Sequence, residues 1–360
     1  MGYLKSEIEK RNLPELMRFC TGEAVEGLEG WNRRKVEIQE LLSRWFSGYS
    51  TRLRVRTEGR CTGIDEESFG GKAITKTVQL NLTSDYSFAS FPFQITLPKA
   101  IKNPPVFIYL SFTPAIADGL GEEILDHGYG IASVYYQDIV PDYYDGHQNG
   151  LGRFCTRNPY DSWGKLKLWA FGATGMLDYI MDQEEVDISR IAVMGHSRLG
   201  KTALLAGAFD SRYSLTVSNE SGAGGAALFR GKTGESIRDL YGKGSRLWFA
   251  GNFFEYMDRV EELPFDQHFL LSLIAPNHLY VSSAVQDGWA DPKSEFLSCV
   301  AVQRAYEIYG ERGLVTPDHF PEAGDVLHEG EIGYHLRKGT HYLSRYDWQQ
   351  IIAYRELHHV

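Results

Sequence analysis

From residue 74 onward the chain alternates short apolar runs with amphipathic stretches. Val106-Phe107-Ile108-Tyr109-Leu110, Ile131-Ala132-Ser133-Val134-Tyr135-Tyr136 and Ile191-Ala192-Val193-Met194 are apolar almost throughout, as strands buried on both faces must be. Residues 74–82 and 91–97 predict a pair of strands around a turn at Ser84-Asp85, an antiparallel opening before the parallel strands begin. Residues 118–127 and 166–181 carry helical patterns, placed between strands as a right-handed βαβ crossover requires. Residues 214–218 and 278–283 predict two further strands, and 201–206, 295–309 and 346–357 predict helices. The first 50 residues differ, with two helical patterns of mixed charge at 7–19 and 33–46. Strands alternating with helices predict an α/β protein, a three-layer sandwich with a mostly parallel, doubly wound sheet. No repeat, low-complexity tract or linker divides the chain, so 1–50 is expected as a helical arm and 51–360 as one main domain.

Composition narrows the picture. A hydrophobic share of 43% over 360 residues supplies a large core, and 13% aromatics supply aromatic-lined surface. The net charge of −10, without a basic block, argues against nucleic acid as a partner, because phosphate binding needs clustered Lys and Arg. No apolar run approaches the roughly 18 residues that span a bilayer, so no membrane partner is expected. Residues 1–9 are charged and lack the apolar region of a secretory leader. The chain as given is therefore expected in the cytoplasm, and outside the cell if a leader has been cut away. Cys20, Cys61, Cys155 and Cys299 form no C-x-x-C pair and read as structural thiols in a reducing compartment. Oligomeric state leaves no mark in the pattern.

The chemistry concentrates at Gly195-His196-Ser197-Arg198-Leu199-Gly200-Lys201. An apolar strand ends here, a helix follows, and a serine sits on the turn between them. That is the nucleophile elbow of an α/β-hydrolase, which lifts a hydroxyl above the sheet and turns backbone N–H groups toward an oxyanion. The usual spacing is G-x-S-x-G; here Leu199 stands at the second glycine and Gly200 follows it. The chain order of such sites is serine, acid, base. His341, in a polar loop before the last helix, is the best base, with His335 the main competitor and His319 and His328 weaker ones. His268 and His278 read as structural, and His358 and His359 as a frayed, solvent-exposed end. Two acids follow strands, Glu220 and Asp287, and either could hold the histidine's tautomer. No C-x-x-C, H-E-x-x-H or EF-hand loop supplies a metal site, and the chemistry needs no metal or other cofactor.

Taken together, Gly195 to Lys201, Ser218-Asn219-Glu220-Ser221-Gly222, Trp289-Ala290-Asp291-Pro292 and Leu336-Arg337-Lys338-Gly339-Thr340-His341 resemble the glucuronoyl esterases, carbohydrate esterase family fifteen. The likeness runs over residues 31–348, is strongest over 161–235, and at Gly222-Ala223-Gly224-Gly225-Ala226-Ala227-Leu228 is similar to the bacterial branch. It implies a serine carboxylic-ester hydrolase acting on 4-O-methyl-glucuronic acid esters that join glucuronoxylan to lignin alcohols. It also implies that Arg198 assists the oxyanion, that Lys201 bonds sugar hydroxyls and that Trp289 contacts the sugar ring. Glu220 matches the acid of fungal members and Asp287 a second acid position of some bacterial ones; Glu220 is expected as the main partner of His341, with Asp287 assisting or substituting. Further sugar contacts are sought at residues 231–256, around Glu235, Trp248 and Phe249. The chain departs from the family in lacking a secretion signal, the fungal disulfides, and the fungal Cys and Asn at positions 196 and 199. Rival readings are an acetyl xylan esterase on the same elbow, or another carbohydrate deacetylase, and a non-catalytic carbohydrate-binding relative.

Overall fold

The computed structural model describes all residues except 1, 50–54, 156, 157, 159 and 243. Among the described residues ten strands form one sheet: β1 (Arg56–Ser68), β2 (Ala73–Thr83), β3 (Phe88–Pro98), β4 (Val106–Ser111), β5 (Gly130–Tyr135), β6 (Ile191–His196), β7 (Leu215–Asn219), β8 (His278–Ala284), β9 (Val326–Leu327) and β10 (Ile332–Arg337). Their spatial order is β1-β2-β3-β5-β4-β6-β7-β8-β10-β9. The first three run antiparallel, β5 through β10 pair in parallel, and β9 closes the far edge antiparallel. This is the α/β-hydrolase fold.

The apolar runs split between two faces because successive strand residues point opposite ways. Val106, Ile108 and Leu110 join the larger core with the helices Lys165–Met181 and Arg198–Phe209. Phe107 faces the other side and packs with Ile124, Trp348 and Ile351 from the helices Asp118–Asp126 and Arg345–His358. The chain leaves β4 toward β5 and later returns to place β6 on the other side, so the connections diverge there. A crevice opens at such a switch point, beyond the carboxyl ends of the strands.

The N-terminal helices are Tyr3–Glu9 and Gly27–Leu42, and Leu4, Trp31, Ile38 and Phe46 belong to the larger core. The pattern read at 7–19 yields a much shorter helix, ending before Pro14, which has no N–H to donate and blocks the preceding turn. The expected division at residues 50/51 lies outside the described residues. The helix expected over 295–309 is two pieces, Pro292–Ala301 and Gln303–Glu307. β1, β9 and β10 are not among the strands expected from the sequence. All four cysteines are free, and no helix among the described residues is long and apolar enough to cross a membrane.

Candidate active site

β6 ends at His196, and Ser197 takes φ 57° and ψ −126° before the helix Arg198–Phe209 begins. A serine pays for such a backbone with strain, and strain of this kind clusters at functional turns. The glycines explain the altered spacing. A Cβ on Gly195 would lie 2.1 Å from the Leu199 carbonyl oxygen, and one on Gly200 would sit 3.1 Å from Ser218 Oγ on the next strand. Bareness is needed where the turn closes on itself and where the helix meets β7; Leu199 points into the core, fully buried.

His341 reaches this turn from the loop after β10. Its Nε2 lies 2.9 Å from Ser197 Oγ, and its Nδ1 lies 2.6 Å from Asp287 Oδ2. Glu220 Oε2 is farther from Nδ1, at 3.4 Å, and accepts no hydrogen bond among the described residues. The expectation that Glu220 is the main partner of His341 is therefore corrected. The reason lies in Arg337, whose Nη2 donates to Glu220 Oε1 and holds that carboxyl back. Burial opposes charge on Asp287 most strongly, yet the bond and charge of His341, the Ala290 N–H and His196 together outweigh it and keep the carboxyl below its usual range. Burial raises Glu220 to about 9 against the pull of Arg337, with Asp347, Asp287 and Glu295 adding repulsion. His335, the competing base, is fully buried in β10 with Nε2 2.9 Å from Asp347 Oδ1, and takes no part in the cleft.

The cleft holds about 390 Å³. Ser197, Arg198, Lys201, Glu220, Glu235, Trp248, Trp289 and His341 line it; Asp287 stands behind His341. Arg198 Nη1 donates to Asp142 Oδ2 at 2.5 Å, and its guanidinium lies 4.6 Å from the Trp248 ring centroid. Trp248 Nε1 in turn donates to Asp142 Oδ1 at 2.8 Å. Trp248 thus fixes the arginine's plane from beneath. On the other side, buried Lys201 donates to the Ala223 carbonyl and to Glu235 Oε2 at 3.1 Å, while Trp289 Nε1 donates to Glu235 Oε1 at 3.2 Å. Trp289 is 43% exposed, an aromatic plane open to a ligand.

Several supporting residues escaped the sequence reading. The His196 ring lies tilted at 40° against that of His341, centroids 4.7 Å apart, and its Nδ1 meets Asn219 Oδ1 at 2.5 Å. Burial, then the His341 ring, lowers its pKa to about 4, so a neutral ring backs the base. Beneath lies a buried network. Asp347 accepts from Arg337 Nε at 2.9 Å and from Asn219 Nδ2 at 3.2 Å, and Arg337 Nη2 also donates to the Thr340 carbonyl at 3.0 Å. The guanidinium thereby anchors the loop that carries His341. Asp142 had one legible signal, its place in the segment just past β5, where site residues collect.

A strained serine, a histidine and a carboxylate at the carboxyl ends of β6, β10 and β8 define the class, a serine hydrolase of the α/β-hydrolase fold. The family model described as "Glucuronyl esterase, fungi" matches residues 80–310. The chain belongs to the glucuronoyl esterases. It is 32% identical to a carbohydrate esterase of an unknown prokaryotic organism over 99% of this chain and 92% of that one. It is 31% identical to a 4-O-methyl-glucuronoyl methylesterase of Podospora anserina, over 79% of this chain but only 58% of the fungal one. The solved glucuronoyl esterase from Solibacter usitatus superposes with a TM-score of 0.84 at 32% identity, covering 96% of this chain and 97% of that chain.

Proposed function

We propose that this protein hydrolyses carboxylic esters of glucuronic acid and 4-O-methyl-glucuronic acid, of the kind that join glucuronoxylan to lignin alcohols. The observation that carries this reading is a single cleft in which the Ser197–His341 pair faces Arg198 on one side and Lys201 and Trp289, joined through Glu235, on the other. An acyl-transfer relay serves many esters; cations beside a sugar-stacking indole suit a polar uronosyl ring.

In this mechanism His341 Nε2 takes the Ser197 proton as Oγ attacks the uronoyl carbonyl carbon. Asp287 orients the ring through Nδ1–H and stabilises the imidazolium that forms. The oxyanion meets the guanidinium of Arg198 and that residue's backbone N–H, which as the first of its helix has no acceptor within the helix. His341 then hands the proton to the departing alcohol oxygen. Water, deprotonated by the same nitrogen, attacks the acyl-enzyme carbonyl; the C–Oγ bond breaks, Ser197 Oγ takes the proton back from His341, and the uronic acid is released. Lys201, Glu235 and Trp289 hold the sugar; Trp248 acts through Arg198.

The test is hydrolysis of methyl and benzyl glucuronate beside an aryl acetate, with Ser197→Ala as control. Uronate turnover that exceeds acetate turnover and falls by at least about 10⁴-fold in the variant supports the proposal. Turnover of acetate alone makes the protein a deacetylase. No turnover of either ester, with no labelling by a fluorophosphonate, makes it a binding protein.

A further inference from the structure

At the opposite end of the sheet from Ser197, three metal-ligating side chains converge. β8 begins at His278 and Glu331 immediately precedes β10; the parallel pairing of Leu279 with Ile332 sets the two side by side. His358 ends the helix Arg345–His358 and closes the group. It is not the frayed, exposed residue expected from sequence: it is half-buried, with its ring centroid 4.9 Å from that of His278. One ligand atom from each of the three lies within 4.8 Å of the others.

The surrounding hydrogen bonds decide which nitrogens carry protons. The hydroxyl of Tyr354 donates its one proton to the Gly330 carbonyl at 3.0 Å, so it can only accept from His278 Nδ1 at 2.8 Å. His278 Nδ1 therefore holds a proton, and in the neutral ring Nε2 is a lone pair. That lone pair faces Glu331 Oε2, another acceptor, at 2.9 Å. A proton on Nε2 bridges that distance as an ordinary ion-paired hydrogen bond, and its departure leaves both atoms free to coordinate a cation. His358 Nε2 meets the His328 carbonyl at 2.6 Å, which obliges Nε2 to carry the proton and leaves Nδ1 as a lone pair. Each histidine thus donates its outer N–H to an oxygen and keeps one bare nitrogen, the arrangement that orients and strengthens imidazole ligands in metal sites.

We propose that His278, Glu331 and His358 bind a zinc ion that fastens the end of the C-terminal helix to β8 and β10. Two imidazoles and a carboxylate are a zinc donor set, and a water completes the tetrahedron. Bonds of about 2.0–2.2 Å place tetrahedral neighbours about 3.4 Å apart, so small side-chain rotations close the site. All three ligands are half-buried, which leaves the ion a way in from solvent. The helix fastened here carries Asp347 in its first turn, and Asp347 holds Arg337. The ion would steady the base of the His341 loop without touching substrate.

The test is calorimetric titration of chelator-stripped, full-length protein with zinc chloride, with thermal melts alongside. A second group, His196, Glu220 and His341, also brings ligand atoms within 4.8 Å, so His341→Ala is the necessary control. The proposal expects one saturable zinc per chain and a higher Tm, both kept in His341→Ala and both lost in His358→Ala and Glu331→Gln. Cobalt in the same site should give the intense visible bands of a tetrahedral ion. Metal-free His358→Ala should melt cooperatively and retain esterase turnover; if it does not, His358→Gln takes its place. Absence of saturable binding at micromolar zinc in the wild type overturns the proposal, with a proton then filling the gap between His278 and Glu331. Binding that survives the His358 variant, or disappears in His341→Ala, overturns it equally.

Discussion

The turns after β7 and β8 each present a carboxyl group to His341, and the two are in opposite states. Asp287 accepts from Nδ1 at 2.6 Å, and that bond, the His341 charge and the Ala290 N–H together hold its carboxyl below the usual range despite burial. Glu220 lies deeper, is tied to Arg337, and is raised to about 9 by burial among other acids. One guanidinium serves both Glu220 and Asp347, so the cluster holds more carboxyl groups than cations. In a low-dielectric interior such a cluster relieves repulsion by keeping a proton. Proximity to the base therefore does not make a triad acid; what else grips the carboxyl does.

The strongest way to break this comparison is Asp287→Asn. Losing the acceptor that sets the His341 tautomer should lower kcat about 10⁴-fold with KM little changed, read from steady-state hydrolysis of benzyl glucuronate. Arg337→Gln comes next. It leaves buried carboxyl groups unpaired and should cost about 3–5 kcal/mol in denaturant unfolding.

Glu220→Gln should lower kcat less than about tenfold, a barrier change under about 1.4 kcal/mol. Its larger signature is in stability against pH. Glu220 titrates near its ordinary 4.5 in the unfolded chain and at about 9 when folded. Between those values the folded protein holds a proton that the unfolded chain has released, so rising pH weakens the fold at this site. Relative to wild type, the Tm of Glu220→Gln should therefore climb from about pH 5 to about pH 8. A flat difference would mean that Glu220 is ionised. The smallest effect is expected from Trp289→Ala, in the turn after β8 but not in contact with His341: a rise in KM for glucuronate esters of about tenfold, with kcat and acetate hydrolysis little altered.

The parallel strands were legible because burial on both faces makes them continuous apolar runs, as in β4 and β6. β1 was not, because its 13 residues are almost all exposed and its charges hide any alternation. β10 hid for the opposite reason: His335 and Arg337 are buried polar residues, tolerated only because Asp347 and Glu220 answer them. Ser197, His341 and both acids could be found from position, since each follows a strand or stands in the loop before the last helix. The ranking of the acids could not, because Arg337 is far from either in sequence and its grip on Glu220 exists only in the fold. His196 and Asp142 act through neighbours, and sequence spacing carries no sign of a ring-to-ring contact or of a shared carboxylate.

The most direct test of the account is the proton NMR spectrum, where the Nδ1–H of His341, held 2.6 Å from Asp287 Oδ2, should resonate far downfield. That signal should persist in Glu220→Gln and vanish in Asp287→Asn. Its loss in Glu220→Gln, with survival in Asp287→Asn, would contradict the assignment of Asp287 as the acid that holds the base.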